Sequence, residues 1–219
     1  MLQRFSQRLP LFIIGTSLFL IFVLFSYLVH ENVFTQFDFD MTVRMQDNIP
    51  RRFDDLFSFF SEVGKFEPML IVLLVLLVTR RKLWGIIAFM LFGFFHVFEL
   101  FGKYFVEHTP PPHFMLRTKH LMDFPQFHVR LENSYPSGHA GRSAFLTVFV
   151  GIWVLQSGLK NWQKAVIISI LLGYDIVMWM SRPYLGEHWT TDVIGGTLLG
   201  LSMGILSSIM YTRATTKTT

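Results

Sequence analysis

Long apolar runs separated by short charged loops organise this chain of 219 residues. Residues 11–29, 83–101 and 193–211 each approach the roughly 20 apolar residues needed to cross about 30 Å of hydrocarbon at 1.5 Å per helical residue. Two shorter runs, 143–155 and 165–180, reach that length if their helices continue into the neighbouring polar segments. A sixth, 68–78, is too short alone and must extend backward through Lys65 and Glu67 toward Phe57. Segment 34–60 mixes aromatics with Asp38, Asp40, Arg44, Arg51, Arg52, Asp54 and Asp55, the composition of an amphipathic segment lying in the membrane interface. An ordinary solvated loop is the alternative there. The expected fold is all-α: a polytopic membrane protein, a bundle of about six transmembrane helices with an interfacial amphipathic segment after the first. Residues 1–219 form a single membrane-embedded domain.

Composition agrees with a lipid solvent, since 52% of residues are hydrophobic and 25 are Phe. The first run follows Arg4 and Arg8 as in a signal peptide, but it is too long for a signal core and no small-residue cleavage site follows it. It reads as an uncleaved first span. The absence of cysteine excludes disulfides and thiolate metal sites. Arg4 and Arg8, Arg80 to Lys82, Lys160 and Lys164, and Arg213 and Lys217 share one side of a six-span arrangement. These loops carry few acidic residues, so the positive-inside rule places them, and both termini, in the cytoplasm. The longer segments 31–65, 103–142 and 182–192 then lie outside. Nothing suggests a nucleic-acid partner, and oligomeric state leaves no signal.

Segment 181–192, Ser-Arg-Pro-Tyr-Leu-Gly-Glu-His-Trp-Thr-Thr-Asp, places a guanidinium, an imidazole and a carboxylate between two apolar runs. If 188–192 is helical, His188 and Asp192 share one face, and the carboxylate can hold an imidazole nitrogen. Arg182 can offer a bidentate fork to a phosphate or carboxylate. An oriented basic imidazole beside an anion clamp is equipment for phosphoryl transfer.

A second cluster, Tyr135-Pro136-Ser137-Gly138-His139, precedes Arg142 and an apolar run. Pro136 and Gly138 mark a tight turn, and Ser137 is a good N-cap for the helix that follows. A helix N-terminus with the Ser137 hydroxyl and the Gly138 N–H suits an anion, and His139 could protonate a leaving oxygen. The bland reading is a capped helix start. Lys103 closes the third span before Pro110, Pro111 and Pro112. It could reach a phosphate, or be a snorkelling lysine paired with Glu99 or Glu107. Among other polar groups in the spans, His96 and Glu99 are functional candidates by default. Asp175 either steers a site cation or is a structural partner within the bundle. Gly195, Gly196, Gly200 and Gly204 suggest close helix packing.

Taken together, these residues resemble the type 2 phosphatidic acid phosphatase superfamily, whose three motifs are Lys-x6-Arg-Pro, Pro-Ser-Gly-His and Ser-Arg-x5-His-x3-Asp. The second is Pro136 to His139 and the third is complete from Ser181 to Asp192. The first departs from the pattern: Pro110 stands where the family has arginine, and Arg117, Lys119 or Arg142 is a candidate replacement.

The resemblance implies a metal-independent phosphatase without a cofactor, acting on a lipid phosphate or pyrophosphate of the undecaprenyl pyrophosphate, phosphatidylglycerophosphate or phosphatidate class. It implies that His188 attacks phosphorus, Asp192 orients it and His139 protonates the leaving oxygen. Lys103, Ser137, Gly138, Arg182 and Arg142 would hold the phosphoryl oxygens. It also implies residence in a bacterial cytoplasmic membrane, with the active site facing outward. Two other activities stay open: a lipid phosphotransferase with the same site, and a non-catalytic lipid-phosphate binding or transport protein.

Overall fold

The computed structural model describes residues 2–80, 84–119 and 133–209, and among these the regular structure is helical throughout. Eight helices follow one another: α1 (Leu2–His30), α2 (Thr35–Asn48), α3 (Asp54–Val63), α4 (Phe66–Arg80), α5 (Trp84–Phe105), α6 (Gly138–Leu155), α7 (Asn161–Tyr184) and α8 (Thr190–Ser208). Four contain stretches long and apolar enough to cross a membrane: Arg8–His30, Ile86–Phe105, Gly138–Leu155 and Asn161–Tyr184. Their outward faces carry large apolar side chains, such as Phe12, Leu20 and Leu24 on α1 and Trp162 and Ile170 on α7. A surface this apolar is stable only against lipid. The chain is an integral membrane protein.

The short run 68–78 differs from expectation. Its helix does not extend back toward Phe57, because α3 ends at Val63 and α4 begins at Phe66. Between them the Gly64 N–H bonds back to the Phe60 and Ser61 carbonyls, and the Gly64 carbonyl accepts from Arg142 Nε. The 15-residue α4 is about 22 Å long against roughly 30 Å of hydrocarbon. Segment 34–60 folds as α2, a 3-10 turn at Arg51–Phe53, and α3. It is no solvated loop: α2 buries Asp38 and Thr42, and α3 buries Phe57, Ser58 and Ser61. Of the basic positions used for orientation, Arg81, Lys82, Arg213 and Lys217 lie outside the described residues, as do the side chains of Arg4 and Arg80.

Packing centres on α8, which lies against α6, α1 and α5. The expected glycine contacts are present. A Cβ on Gly200 would sit 2.1 Å from the Gly141 carbonyl oxygen of α6, and one on Gly196 would sit 2.2 Å from that of Ser137. Small residues let two backbones approach where lipid supplies no hydrophobic drive for association. On the other side, Ser202 Oγ donates to the Gly15 carbonyl of α1 at 2.8 Å. Asp175 of α7 bonds the Ser143 and Thr147 side chains of α6. It is therefore a structural partner between helices, satisfied before it reaches any site cation.

Candidate active site

The start of α6 and the end of α7 meet at one end of the bundle, opposite the 156–160 turn that joins these helices. Arg182 lies in the last turn of α7, which extends to Tyr184. Gly186 then reverses the chain: it adopts φ +70°, the left-handed conformation glycine accepts without a steric cost. A Cβ there would also meet the Met115 carbonyl at 2.3 Å. Beyond the turn, the His188 N–H donates to the Arg182 carbonyl at 3.4 Å, coupling the imidazole to the guanidinium through the backbone.

His188 precedes α8, so the expected one-face relation with Asp192 has a different origin. Asp192 occupies the first turn of α8, where Oδ2 accepts the Trp189 N–H at 2.9 Å and lies 3.2 Å from His188 Nδ1. The pairing is an N-terminal capping interaction that also captures an imidazole. Asp192 is wholly buried. The carboxylate accepts from Nδ1, which leaves Nε2 of His188 with its lone pair free. Burial pushes the His188 pKa below its ordinary value, helped by the charges of Lys103 and Arg182 and opposed by Asp192. The surroundings therefore favour the neutral ring.

The other expected residues converge here. Lys103, Arg142, Arg182 and His188 all lie within electrostatic range of His139. Ser137 stands at the N-cap of α6, yet its hydroxyl caps no backbone N–H. Its Oγ is buried with no partner among the described residues, and so are His139 Nε2 and Arg182 Nη2. Three buried polar atoms without a partner, two at the mouth of α6 and one from the end of α7, together with a lysine are an arrangement that suits an anion. Lys103 Nζ donates to the Ser134 carbonyl at 3.1 Å, on the strand of chain leading into Pro136, rather than pairing with the exposed Glu107.

Two cations are less free than their positions suggest. Arg182 donates through Nη1 to Glu187 and through Nε to Ser181 Oγ, leaving one arm open where a two-armed clamp was expected. Arg142 lies 3.4 Å from Glu99 and donates to the Gly64 carbonyl at 3.3 Å. Glu99 in turn lies 3.0 Å from His96 Nδ1. At the place of the absent arginine, Pro110 is exposed. Lys119 pairs at the surface with Asp55, and Arg117 stacks on the Tyr184 ring.

The sequence reading missed one residue at the centre of the site. His108 is buried, and its Nδ1 lies 2.8 Å from the second Asp192 oxygen, Oδ1. The neighbouring Thr109 carbonyl accepts the Trp189 indole N–H at 2.7 Å, so 108–109 is laid along the start of α8. The available signal was an ionisable side chain five positions after Lys103, in the segment that carries the first motif.

Over residues 81–216 the sequence matches the profile described as the PAP2 superfamily. It is 30% identical over 193 residues to the undecaprenyl-diphosphatase of Sulfolobus acidocaldarius, covering 87% of this chain and 86% of that one. Identity to phosphatidylglycerophosphatase B of Bacillus subtilis is 24% over 201 residues, covering 87% and 91%. The fold is similar to the crystal structure of a PAP2-type phosphatidylglycerolphosphate phosphatase from B. subtilis. There the TM-score is 0.71 over 89% of this chain and 94% of that one, at 21% identity.

Proposed function

This chain belongs to the PAP2 superfamily, and from that premise we propose that it hydrolyses a lipid phosphate or pyrophosphate through a phosphohistidine on His188. The observation that carries this reading is His188 Nδ1 paired with Asp192, within electrostatic range of His139 and Arg182, whose Nε2 and Nη2 are unpartnered like Ser137 Oγ. The Nε2 lone pair forms the P–N bond while the bond from phosphorus to the lipid oxygen breaks. His139, which takes up a proton as the anionic headgroup fills the site, gives that proton to the oxygen and is left neutral. Water then attacks phosphorus, His139 takes a proton from it, and inorganic phosphate leaves with His188 restored. Lys103, Arg182, the Ser137 hydroxyl and the Gly138 N–H stabilise the charge on the three peripheral oxygens. Arg142 adds positive charge from its place beside Glu99. These cations do the work assigned elsewhere to magnesium, so neither metal nor cofactor takes part. Substrates with a prenyl or glycerolipid tail suit the site, in line with the activities named for the S. acidocaldarius and B. subtilis relatives.

Six spans, formed by α1, α4, α5, α6, α7 and α8, put both termini in the cytoplasm and the site on the outer face of a bacterial cytoplasmic membrane. Lys160 and Lys164, at the turn opposite the site, support that orientation.

The test is phosphate release from phosphatidate, phosphatidylglycerophosphate and prenyl pyrophosphates, with and without EDTA. Release by the wild type should be indifferent to EDTA, and His188→Ala should lose it at least about 10³-fold while remaining folded. Equal turnover by the variant would remove His188 from the chemistry. Transfer to a second lipid without release of phosphate would make the protein a phosphotransferase. Retained binding without turnover would make it a carrier.

A further inference from the structure

Asp192 is shared by two histidines. His188 Nδ1 lies 3.2 Å from Oδ2, while His108 Nδ1 lies 2.8 Å from Oδ1. The far nitrogen of His108, Nε2, faces Asp38 Oδ2 of α2 at 3.6 Å. Asp38 is itself fixed by Thr191, whose N–H donates to Oδ1 at 2.8 Å and whose hydroxyl donates to Oδ2 at 2.5 Å. Carboxylate, imidazole, carboxylate and imidazole thus form one line, from an interfacial helix to the proposed nucleophile. Asp38, His108 and Asp192 are all buried.

We propose that His108, held by Asp38, is a positioning residue that serves as the counter-cation of Asp192 and so keeps His188 neutral and correctly turned. The idea rests on His188 being the nucleophile, as proposed above. A carboxylate bonded only to His188 would raise the basicity of that ring and favour its protonation. An imidazolium on the other oxygen offsets this charge and occupies the lone pairs that could otherwise pull the carboxylate out of line. The surroundings favour a charged His108. Burial acts against its charge, but the hydrogen bond and charge of Asp192, with the charge of Asp38, raise its pKa above the ordinary value. The groups around it are Asp38 from α2, Asp192 from α8, the Tyr135 ring at 6.5 Å, and Lys103 from α5, which acts on Asp192. His30 of α1 reaches the neighbouring Glu107 N–H at 3.3 Å.

The experiment is an NMR titration of the full-length protein in detergent, with ring-labelled histidine; the eight His signals are assigned by substitution. In the wild type, His108 should titrate above about 6.5 and His188 below it. Removing the cation in His108→Ala should raise the His188 pKa by about 1 unit. The acid limb of kcat/KM should move up by the same amount, and the activity should recover in part at higher pH. His108→Asn keeps an N–H near the Nδ1 position without the charge, so it should shift the limb while losing less activity at the plateau. As an outer-shell partner, His108 removed altogether should cost about 10- to 100-fold in kcat with little change in KM. A scaffold role would lower the plateau without moving the limb, and that result would overturn the proposal. So would a His108 that titrates at or below 6.5 in the wild-type protein once its signal is assigned. Wild-type phosphate release is scored separately: its absence sinks the phosphatase reading, whereas the titrations decide the role of His108 with or without turnover.

Discussion

Ser137 separates a local role from a chemical one. Its place at the start of α6 suggests a capping hydroxyl, whose loss would cost about 1 kcal/mol. In the fold the hydroxyl caps nothing and is buried without a partner. Ser137→Ala should therefore leave stability unchanged or raise it by up to about 1 kcal/mol, since a buried hydroxyl without a partner makes no hydrogen bond and still costs its desolvation. Turnover should fall by up to about 100-fold, the scale of one lost donor to a developing oxyanion. Thermal unfolding in detergent and phosphate release, measured on the same preparation, check both halves. A large stability loss with normal turnover would return Ser137 to the helix.

Among the helices, the α6–α8 pair sets the site, because α6 begins at Gly138 and α8 begins two residues after His188. Their separation is limited by backbone meeting backbone at Gly200 and Gly141. Gly200→Ala places a methyl 2.1 Å from a carbonyl oxygen that has no rotamer with which to yield. The helices must move apart, at a cost of at least about 1–3 kcal/mol, and activity should fall with stability. Gly93 on α5 is the control, since a Cβ there meets nothing within 4 Å. Gly93→Ala should be neutral or stabilising by up to about 1 kcal/mol. Comparable melting temperatures for the two variants would show that the glycine contact does not govern the bundle.

For the whole molecule, the proposed orientation is open to a direct measurement, because the chain contains no cysteine. Asp47 is exposed near the site end of the bundle, and Gly158 is exposed at the opposite turn. A membrane-impermeant thiol reagent added to intact cells should label Asp47→Cys and should reach Gly158→Cys only after the membrane is opened. The reverse pattern would put the site on the cytoplasmic face.

Hydrophobic periodicity is local, and so are the helices it reveals. Four helices long and apolar enough to span were legible from runs of apolar residues, whereas α4 and α8 do not reach that standard among the described residues. Arg182, His188 and Asp192 were legible from charges that apolar runs do not tolerate. Pro136 to His139 was legible because proline, serine and glycine mark a helix start locally, although the Ser137 hydroxyl then caps nothing. Boundaries set by tertiary contact were less so: α4 starts at Phe66 because Gly64 gives its carbonyl to Arg142, 78 residues away. The engagement of Arg182 by Glu187 and of Arg142 by Glu99 also depends on packed geometry, since a guanidinium in a sequence carries no mark of its partner. His108 and Asp38 stood furthest from view. His108 meets Asp192 across 84 residues, and Asp38 meets Thr191 across 153. The sequence alone settles that this chain lives in lipid and sets imidazole, guanidinium and carboxylate groups between apolar runs, because solvent preference and residue chemistry belong to each residue singly. Which imidazole is held, and by what, waits on folding, because a buried hydrogen bond exists only when distant segments close around it.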